Sequence, residues 1–335
     1  MSYPPCPHSY EDILGCQTYS QEVIERDYKL LTEFSAIKNQ TKFCGNKILY
    51  QYQFHNLLKC RRQEKKYLTI EEVYKSPEEI KKVWEETCFR NRTKKKAGDY
   101  SHSARDMWQV FNLNRGAIVF FKASTAKYLY KKYNASSVLD ITAGWGGRML
   151  GASSLGIKYT GIDTNRNLRE GYDKMRKDLG LKKKDYAMKW GSCLYFDFSK
   201  IDYDFALTSP PYINMELYEN MKPFENDKVY YREFLIPVMN KCYKHLKIGG
   251  HMCFNISPKM FKALMKHGYR EPDYKEDMRQ QMGKQYKTKS QDMTYIWTKT
   301  QKQVDISFEK ELNEMLEDED YEEMMRERQM RNVMN

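Results

Sequence analysis

The residues best suited to chemistry in this chain stand at positions 208–212, Thr208-Ser209-Pro210-Pro211-Tyr212. Ser209 offers a side-chain oxygen and Pro210 a backbone carbonyl, so two hydrogen-bond acceptors lie side by side. Such a pair suits a substrate nitrogen that carries two hydrogens. The exocyclic amino group of a nucleobase is such a nitrogen, and it is a poor nucleophile because its lone pair is delocalised into the ring. Accepting hydrogen bonds from both hydrogens favours a more pyramidal, more reactive nitrogen. Two consecutive prolines hold the backbone so that the acceptors are in place before any reaction. Tyr212 adds a π face on which an extruded base can stack. Taken alone, the same five residues also read as a proline-rich turn that only ends a strand, with Tyr212 in the core.

The stretch upstream weighs against the turn. In Val138-Leu139-Asp140-Ile141-Thr142-Ala143-Gly144-Trp145-Gly146-Gly147, Asp140 ends a short apolar run and three glycines precede an amphipathic segment. Glycines at the end of a parallel strand let the backbone approach a nucleotide-like ligand, with a helix starting close beneath it. Asp163 ends the next apolar run, 23 residues after Asp140, where an acidic side chain can accept from both ribose hydroxyls of an adenosine group. The glycine spacing is not GxGxxG, and no GxxxxGK[ST] loop for phosphoryl transfer is present in the sequence. The loop by itself fits an adenosyl cofactor, a nicotinamide cofactor or a tight strand–helix turn. Its pairing with the Ser-Pro-Pro-Tyr motif, 65 residues after Gly144, favours the adenosyl cofactor.

The elements that must position these motifs alternate between strand and helix over residues 99–300. Strands are expected at 136–142, 158–163, 186–190, 203–209, 251–257 and 293–300, with a long helix at about 228–247. Strands separated by helical segments imply a mostly parallel, doubly wound α/β sheet with helices on both faces. Residues 1–98 read as basic and mainly helical. Ser76-Pro77-Glu78-Glu79 is a helix start, with Ser as cap, Pro in the first turn and Glu three residues after the cap. Residues 265–292 read as a polar, basic loop. Residues 301–335 read as an acidic helical tail.

Charge points to a polyanionic partner. The 335-residue chain carries a formal net charge of +12, and the tail alone holds 5 basic and 11 acidic side chains. The first 300 residues therefore hold 52 basic against 34 acidic groups, enough to attract a phosphate backbone. Two runs concentrate that charge: Arg61 and Arg62 within 59–66, and Arg90, Arg92, Lys94, Lys95 and Lys96 within 90–96. Each run taken singly also reads as a solvated surface. The eight cysteines form no CxxC pair and read as reduced thiols; Cys6, His8 and Cys16 are too irregularly spaced for a metal corner, so no metal is expected. The chain has neither an apolar run long enough for a membrane span nor a signal-peptide pattern, and an intracellular location is expected.

Cytosine-C5 methylation would need a cysteine nucleophile after the fourth strand, and the Pro-Cys pair of this chain is Pro5-Cys6 at the N-terminus. The residues instead resemble another group. Asp140-Ile141-Thr142-Ala143-Gly144-Trp145-Gly146 is similar to the DPFxGxG cofactor motif, and Ser209-Pro210-Pro211-Tyr212 matches the [DNS]PPY catalytic motif. Together they mark the amino-methyltransferases that act on cytosine-N4 or adenine-N6 in DNA, including the DNA methylases of phages and large viruses. Residues 120–130 resemble the helix those enzymes place near the methionine end of the cofactor. The resemblance spans residues 100–300. Ile141, Thr142 and Ala123 depart from it, standing where the family usually has Pro, Phe and Pro.

The resemblance implies a Rossmann-like methyltransferase fold and S-adenosyl-L-methionine as cofactor, with Asp140, Thr142, Gly144, Gly146, Asp163 and Lys122 around it. It further implies Ser209, Pro210, Pro211 and Tyr212 in catalysis, and DNA, ahead of RNA, as the partner. Ser in the first motif position favours cytosine-N4 over adenine-N6. A catalytically silent methyltransferase fold serving as a nucleic-acid-binding subunit is the alternative from another class.

Overall fold

The computed structural model describes residues 3–36, 44–62, 67–96, 98–114, 118, 120–211, 216–217, 224–277 and 293–301. Before the sheet come α1 (Tyr10–Gly15), α2 (Gln21–Glu33), α3 (Asn46–Lys59), a two-residue strand β1 (Arg61–Arg62), α4 (Ile70–Tyr74), α5 (Pro77–Asn91) and α6 (Ala104–Asn114). Local chemistry sets several of their starts. The Ser9 and Thr69 side chains form reciprocal caps with Asp12 and Glu72, and the Ser76 hydroxyl accepts from the Glu79 amide ahead of Pro77.

The α/β region runs α7 (Ala123–Lys132), β2 (Ser137–Asp140), α8 (Gly147–Ser153), β3 (Lys158–Asp163), α9 (Arg169–Asp178), β4 (Tyr186–Trp190), β5 (Phe205–Thr208) and β6 (Glu216–Leu217). It continues through α10 (Asp227–Tyr230), α11 (Ile236–His245), β7 (His251–Ile256), α12 (Pro258–Lys266), β8 (Tyr274–Asp277) and β9 (Met293–Thr298). Seven strands form one sheet in the order β4-β3-β2-β5-β7-β9-β8. The first five of that order are parallel; β9 runs antiparallel to β7, and β8 antiparallel to β9. This is a doubly wound, Rossmann-like α/β fold, as the alternation of elements implies.

Two stretches differ from the sequence reading. Residues 265–292, expected as a loop, contribute the end of α12 and the strand β8, while 278–292 lie outside the described residues. Tyr-Lys-Glu-Asp carries no apolar alternation, so its strand character comes from the ladder to β9 and from Glu276, which accepts from the Tyr133 hydroxyl at 2.8 Å and pairs with Lys132. The helix expected at 228–247 is present but contains a π-helical turn at Tyr231–Leu235, through which α10 passes into α11. It ends beside Pro237, which has no N–H to return to the preceding turn. The tail 302–335 lies outside the described residues.

Strand side chains alternate between two cores. Val138, Tyr159, Phe205, Leu207, Cys253 and Ile296 face one; Leu139, Ile162, Ala206, Met252, Phe254 and Trp297 face the other. The N-terminal helices join the first core through Ile13, Leu31, Leu49, Ile70, Trp84 and Met107. Polar contacts anchor them as well. Gln53 donates to the Leu168 carbonyl at 3.2 Å, and buried Lys127 donates from α7 to the Leu31 and Thr32 carbonyls at the end of α2, at 2.7 and 2.8 Å. No helix among the described residues is long and apolar enough to cross a membrane.

The closest approach lies where α8 begins. A Cβ placed on Gly147 would stand 1.9 Å from the Phe121 carbonyl oxygen, so the backbone just before α7 passes directly over the start of α8. Gly147→Ala is therefore expected to destabilise the protein by about 1–3 kcal/mol or more, as overpacking does, read as a lowered urea midpoint at unchanged slope. A midpoint equal to that of the wild type would show that the two segments do not approach in this way.

Candidate active site

Strand order places the two motifs side by side. From β2 the chain moves outward to β3 and β4, then returns to β5 on the other side of β2. The crevice at the C-terminal ends of β2 and β5 is thus the switch point, where open α/β sheets bind ligands. β2 ends at Asp140 and leads into the glycine loop; β5 ends at Thr208 and leads into Ser209.

A buried ionic network joins them from beneath. Asp140 is fully buried, and its Oδ2 accepts from Arg148 Nε and from the Tyr159 hydroxyl, each at 2.6 Å. Its Oδ1 lies 3.3 Å from the Thr208 hydroxyl and 3.4 Å from the Thr142 amide. Arg148 also donates to the Thr142 carbonyl. Asp140, expected around the cofactor, is thus enclosed by protein partners and holds the loop from below. Burial alone would lower the pKa of Arg148, but the Asp140 charge and hydrogen bond outweigh it and raise the guanidinium further.

The glycine loop is held open above this base. Gly144 and Gly146 have φ of 55° and 94°, in the left-handed region that favours glycine. The Gly144 amide donates to Asp163 Oδ2 at 2.7 Å, and the Asn165 amide to Oδ1 at 2.8 Å. Burial pushes the Asp163 carboxyl above its ordinary range, against the pull of those two amides. Among the described residues, these two amides take two of its four lone pairs. The Tyr172 hydroxyl, from α9, donates to the loop carbonyls at 3.2 Å (Ala143) and 2.9 Å (Gly144). Lys122 sits at the cap of α7, next to the Phe121 carbonyl that crosses the start of α8, and desolvation lowers its pKa.

In the second motif, the carbonyls of Ser209 and Pro211 accept hydroxyl hydrogen bonds from Thr142 at 3.0 Å and Tyr230 at 2.9 Å. Thr142, expected beside the cofactor, thus directs its hydroxyl to the joint between the motifs, 2.5 Å from the Thr208 hydroxyl. Neither the Ser209 hydroxyl nor the Pro210 carbonyl has a hydrogen-bond partner among the described residues. Tyr212 lies outside the described residues.

The basic runs occupy different places. Arg61 and Arg62 in β1 pair antiparallel with Leu217 and Glu216 in β6, so this run lies against the chain that follows the Ser-Pro-Pro-Tyr motif. Arg61 itself is engaged by Glu72 and the Tyr67 carbonyl. In the 90–96 run, Arg90 pairs with Glu86 and Arg92 stacks 4.2 Å over Phe89, while Lys95 and Lys96 are exposed. The side chains of Arg62 and Lys94 lie outside the description.

Sequence reasoning missed Arg148, Tyr159, Tyr172 and Tyr230, and named Thr208 without giving it a role. Arg148 had a readable signal, a cation in the first turn of an otherwise apolar helix. The tyrosines had none, since their roles depend on which elements meet. Arg148→Met is expected to strand the Asp140 charge and cost about 3–5 kcal/mol of unfolding free energy, measured by chemical denaturation. A loss under 1 kcal/mol would show that the pair is not the brace it looks to be.

No protein-family model and no curated protein matches the chain. Among solved structures it is similar to an S-adenosylmethionine-dependent methyltransferase from Clostridium acetobutylicum, at 12% identity and a TM-score of 0.41, over 58% of this chain and 98% of that one. It is also similar to TrmN from Thermus thermophilus, at 13% identity and a TM-score of 0.39, over 60% of this chain and 69% of that one. With TehB from Haemophilus influenzae the identity is 17% and the TM-score 0.36, over 57% of this chain and 66%, just under two thirds, of that one.

Proposed function

We propose that this protein transfers a methyl group from S-adenosyl-L-methionine to the exocyclic amino group of a base in DNA, cytosine-N4 ahead of adenine-N6, with an RNA base as the runner-up. The observation that carries the reading is the pair of adjacent acceptors, the Ser209 hydroxyl oxygen and the Pro210 carbonyl, at the C-terminal end of β5. They lie next to a glycine loop at the switch point of the sheet, and neither has a partner among the described residues.

The loop fits the cofactor. Among the described residues, a Cβ on Gly144 would meet only the Thr142 carbonyl oxygen, at 3.8 Å, which leaves room for a ligand above it. Asp163 has lone pairs for the ribose hydroxyls, and Lys122 offers a half-buried cation for the carboxylate of the methionine end. When bound, S-adenosylmethionine supplies a methyl group on an electrophilic sulfonium. Ser209 and Pro210 accept the two amino hydrogens and aim the nitrogen lone pair at that methyl. Tyr212 stacks on the extruded base. With the cofactor bound, the amino nitrogen would give its pair to the methyl carbon as the carbon–sulfur bond breaks and its pair leaves with the sulfur, and one proton would then pass from nitrogen to solvent. Orientation supplies most of the acceleration.

DNA is favoured over a neutral partner by the +18 balance of the first 300 residues and by the β1–β6 pairing that brings one basic run beside the catalytic motif. Residues 1–98 are the proposed recognition element. Neutralising exposed Lys95 and Lys96 is expected to flatten the log–log salt dependence of DNA affinity by about 0.9 per lost phosphate contact. An unchanged slope would mark that run as solvated surface.

The chemistry is tested by Ser209→Ala. It removes one acceptor and leaves the Pro210 carbonyl, so methyl transfer should slow by about 10- to 1000-fold, roughly 1.4–4 kcal/mol of barrier. DNA from cells expressing the wild type should contain methylated amino groups detectable by modified-base sequencing. Cofactor and DNA binding without any modified base would instead favour a binding subunit with no catalysis.

A further inference from the structure

Resting on the proposed methyl transfer, we propose that Thr142 and Tyr230 are positioning residues that fix the acceptor geometry of Ser209 and Pro210 from two sides. Three successive carbonyls run through Ser209-Pro210-Pro211. The outer two are each taken by a hydroxyl from a different element, Thr142 after β2 and Tyr230 at the end of α10. The middle one, on Pro210, is left for the substrate. Prolines already restrict φ at 210 and 211, so holding the flanking peptide planes leaves the middle carbonyl little freedom.

Hydrogen counting gives the direction of the inner brace. Thr142 and Thr208 have one hydroxyl hydrogen each, shared among contacts to each other (2.5 Å), to the Ser209 carbonyl (3.0 Å) and to Asp140 (3.3 Å). Asp140 is already served on Oδ2 by Arg148 and Tyr159, and the Thr208 contact to its Oδ1 is the longest of the three. The two hydrogens therefore run Thr208 to Thr142 to the Ser209 carbonyl, along the two shortest contacts. Thr142 stands where the resembled family usually has a phenylalanine, which could not make this bond. The outer brace is rigid for another reason. Tyr230 is fully buried, and its ring meets those of Phe224, Tyr231 and Phe234 at centroid distances of 4.9, 5.2 and 5.6 Å. Its hydroxyl sits just ahead of the π-helical turn.

The test is single-turnover methylation of duplex DNA by the wild type, Thr142→Val, Thr142→Ser, Tyr230→Phe and Ser209→Ala, with cofactor affinity from calorimetry. Thr142→Val and Tyr230→Phe are each expected to slow the transfer step about tenfold, with DNA and cofactor affinities within about twofold of the wild type. Thr142→Ser, which keeps the hydroxyl, should restore the rate. Tyr230→Phe keeps the ring, so the fold survives even where Thr142→Val does not. Transfer that is lost in Ser209→Ala but proceeds at the wild-type rate in both hydroxyl-deleted variants overturns the positioning role alone. A Thr142→Ser variant as slow as Thr142→Val overturns the Thr142 brace. Wild-type protein that methylates no base overturns the proposed function, and this inference with it.

Discussion

A single carboxylate, Asp140, is what the two motifs have in common. A buried ion of this kind is costly to take out of water, and attraction to one cation only roughly offsets that cost. The additional bonds make it worthwhile: Arg148 and Tyr159 on one oxygen, and the Thr142 amide 3.4 Å from the other. A polar network satisfied on every side rigidifies its surroundings, because no partner can leave without exposing an unpaired charge at low dielectric. That rigidity passes in two directions. Through Arg148 and the Thr142 backbone it sets the glycine loop; through Thr208 and the Thr142 side chain it reaches Ser209.

The sheet makes such a network possible. β2 and β5 are neighbours in space although 64 residues separate the end of one from the start of the other. Their inward and outward residues alternate between two cores, which leaves the strand ends as the place where backbone and polar groups can face a ligand. The helices before residue 115 add their apolar residues to the first core. Their contribution to the site is thus mechanical as well as electrostatic: α3 supports α9, and α9 supplies the Tyr172 hydroxyl that holds the loop carbonyls.

The proposed methyl transfer would ask for little acid–base chemistry and much orientation, and the arrangement at the strand ends suits that demand. Asp140, Arg148 and Asp163 hold backbone, and in the proposed reading Asp163 and Lys122 also meet the cofactor. In that proposal the groups that meet the substrate are neutral oxygens, those of Ser209 and Pro210, which have no partner among the described residues. An amino group meeting them finds acceptors that require no reorganisation, which is where positioned oxygens gain over water.

Much of this was legible in the sequence by itself, because it depends on local pattern. β3 and β4 coincide with the apolar runs at 158–163 and 186–190, the α5 start follows from Ser76 and Pro77, and the glycines of the loop adopt the left-handed conformations that only glycine takes easily. The placement of each motif at the end of a strand also followed from the alternation of elements, whereas the adjacency of β2 and β5 came from the sheet order. What a linear pattern could not contain is which distant side chains meet. That Thr142 turns toward Thr208 and Ser209, that Tyr172 and Tyr230 cap particular carbonyls, and that Tyr274–Asp277 forms an edge strand without apolar alternation are consequences of packing between segments 16 to 148 residues apart. The sequence determined the chemical groups available at the strand ends; only the tertiary structure decided which of them are bonded to one another and hold backbone, because hydrogen-bond partners are chosen by proximity in space.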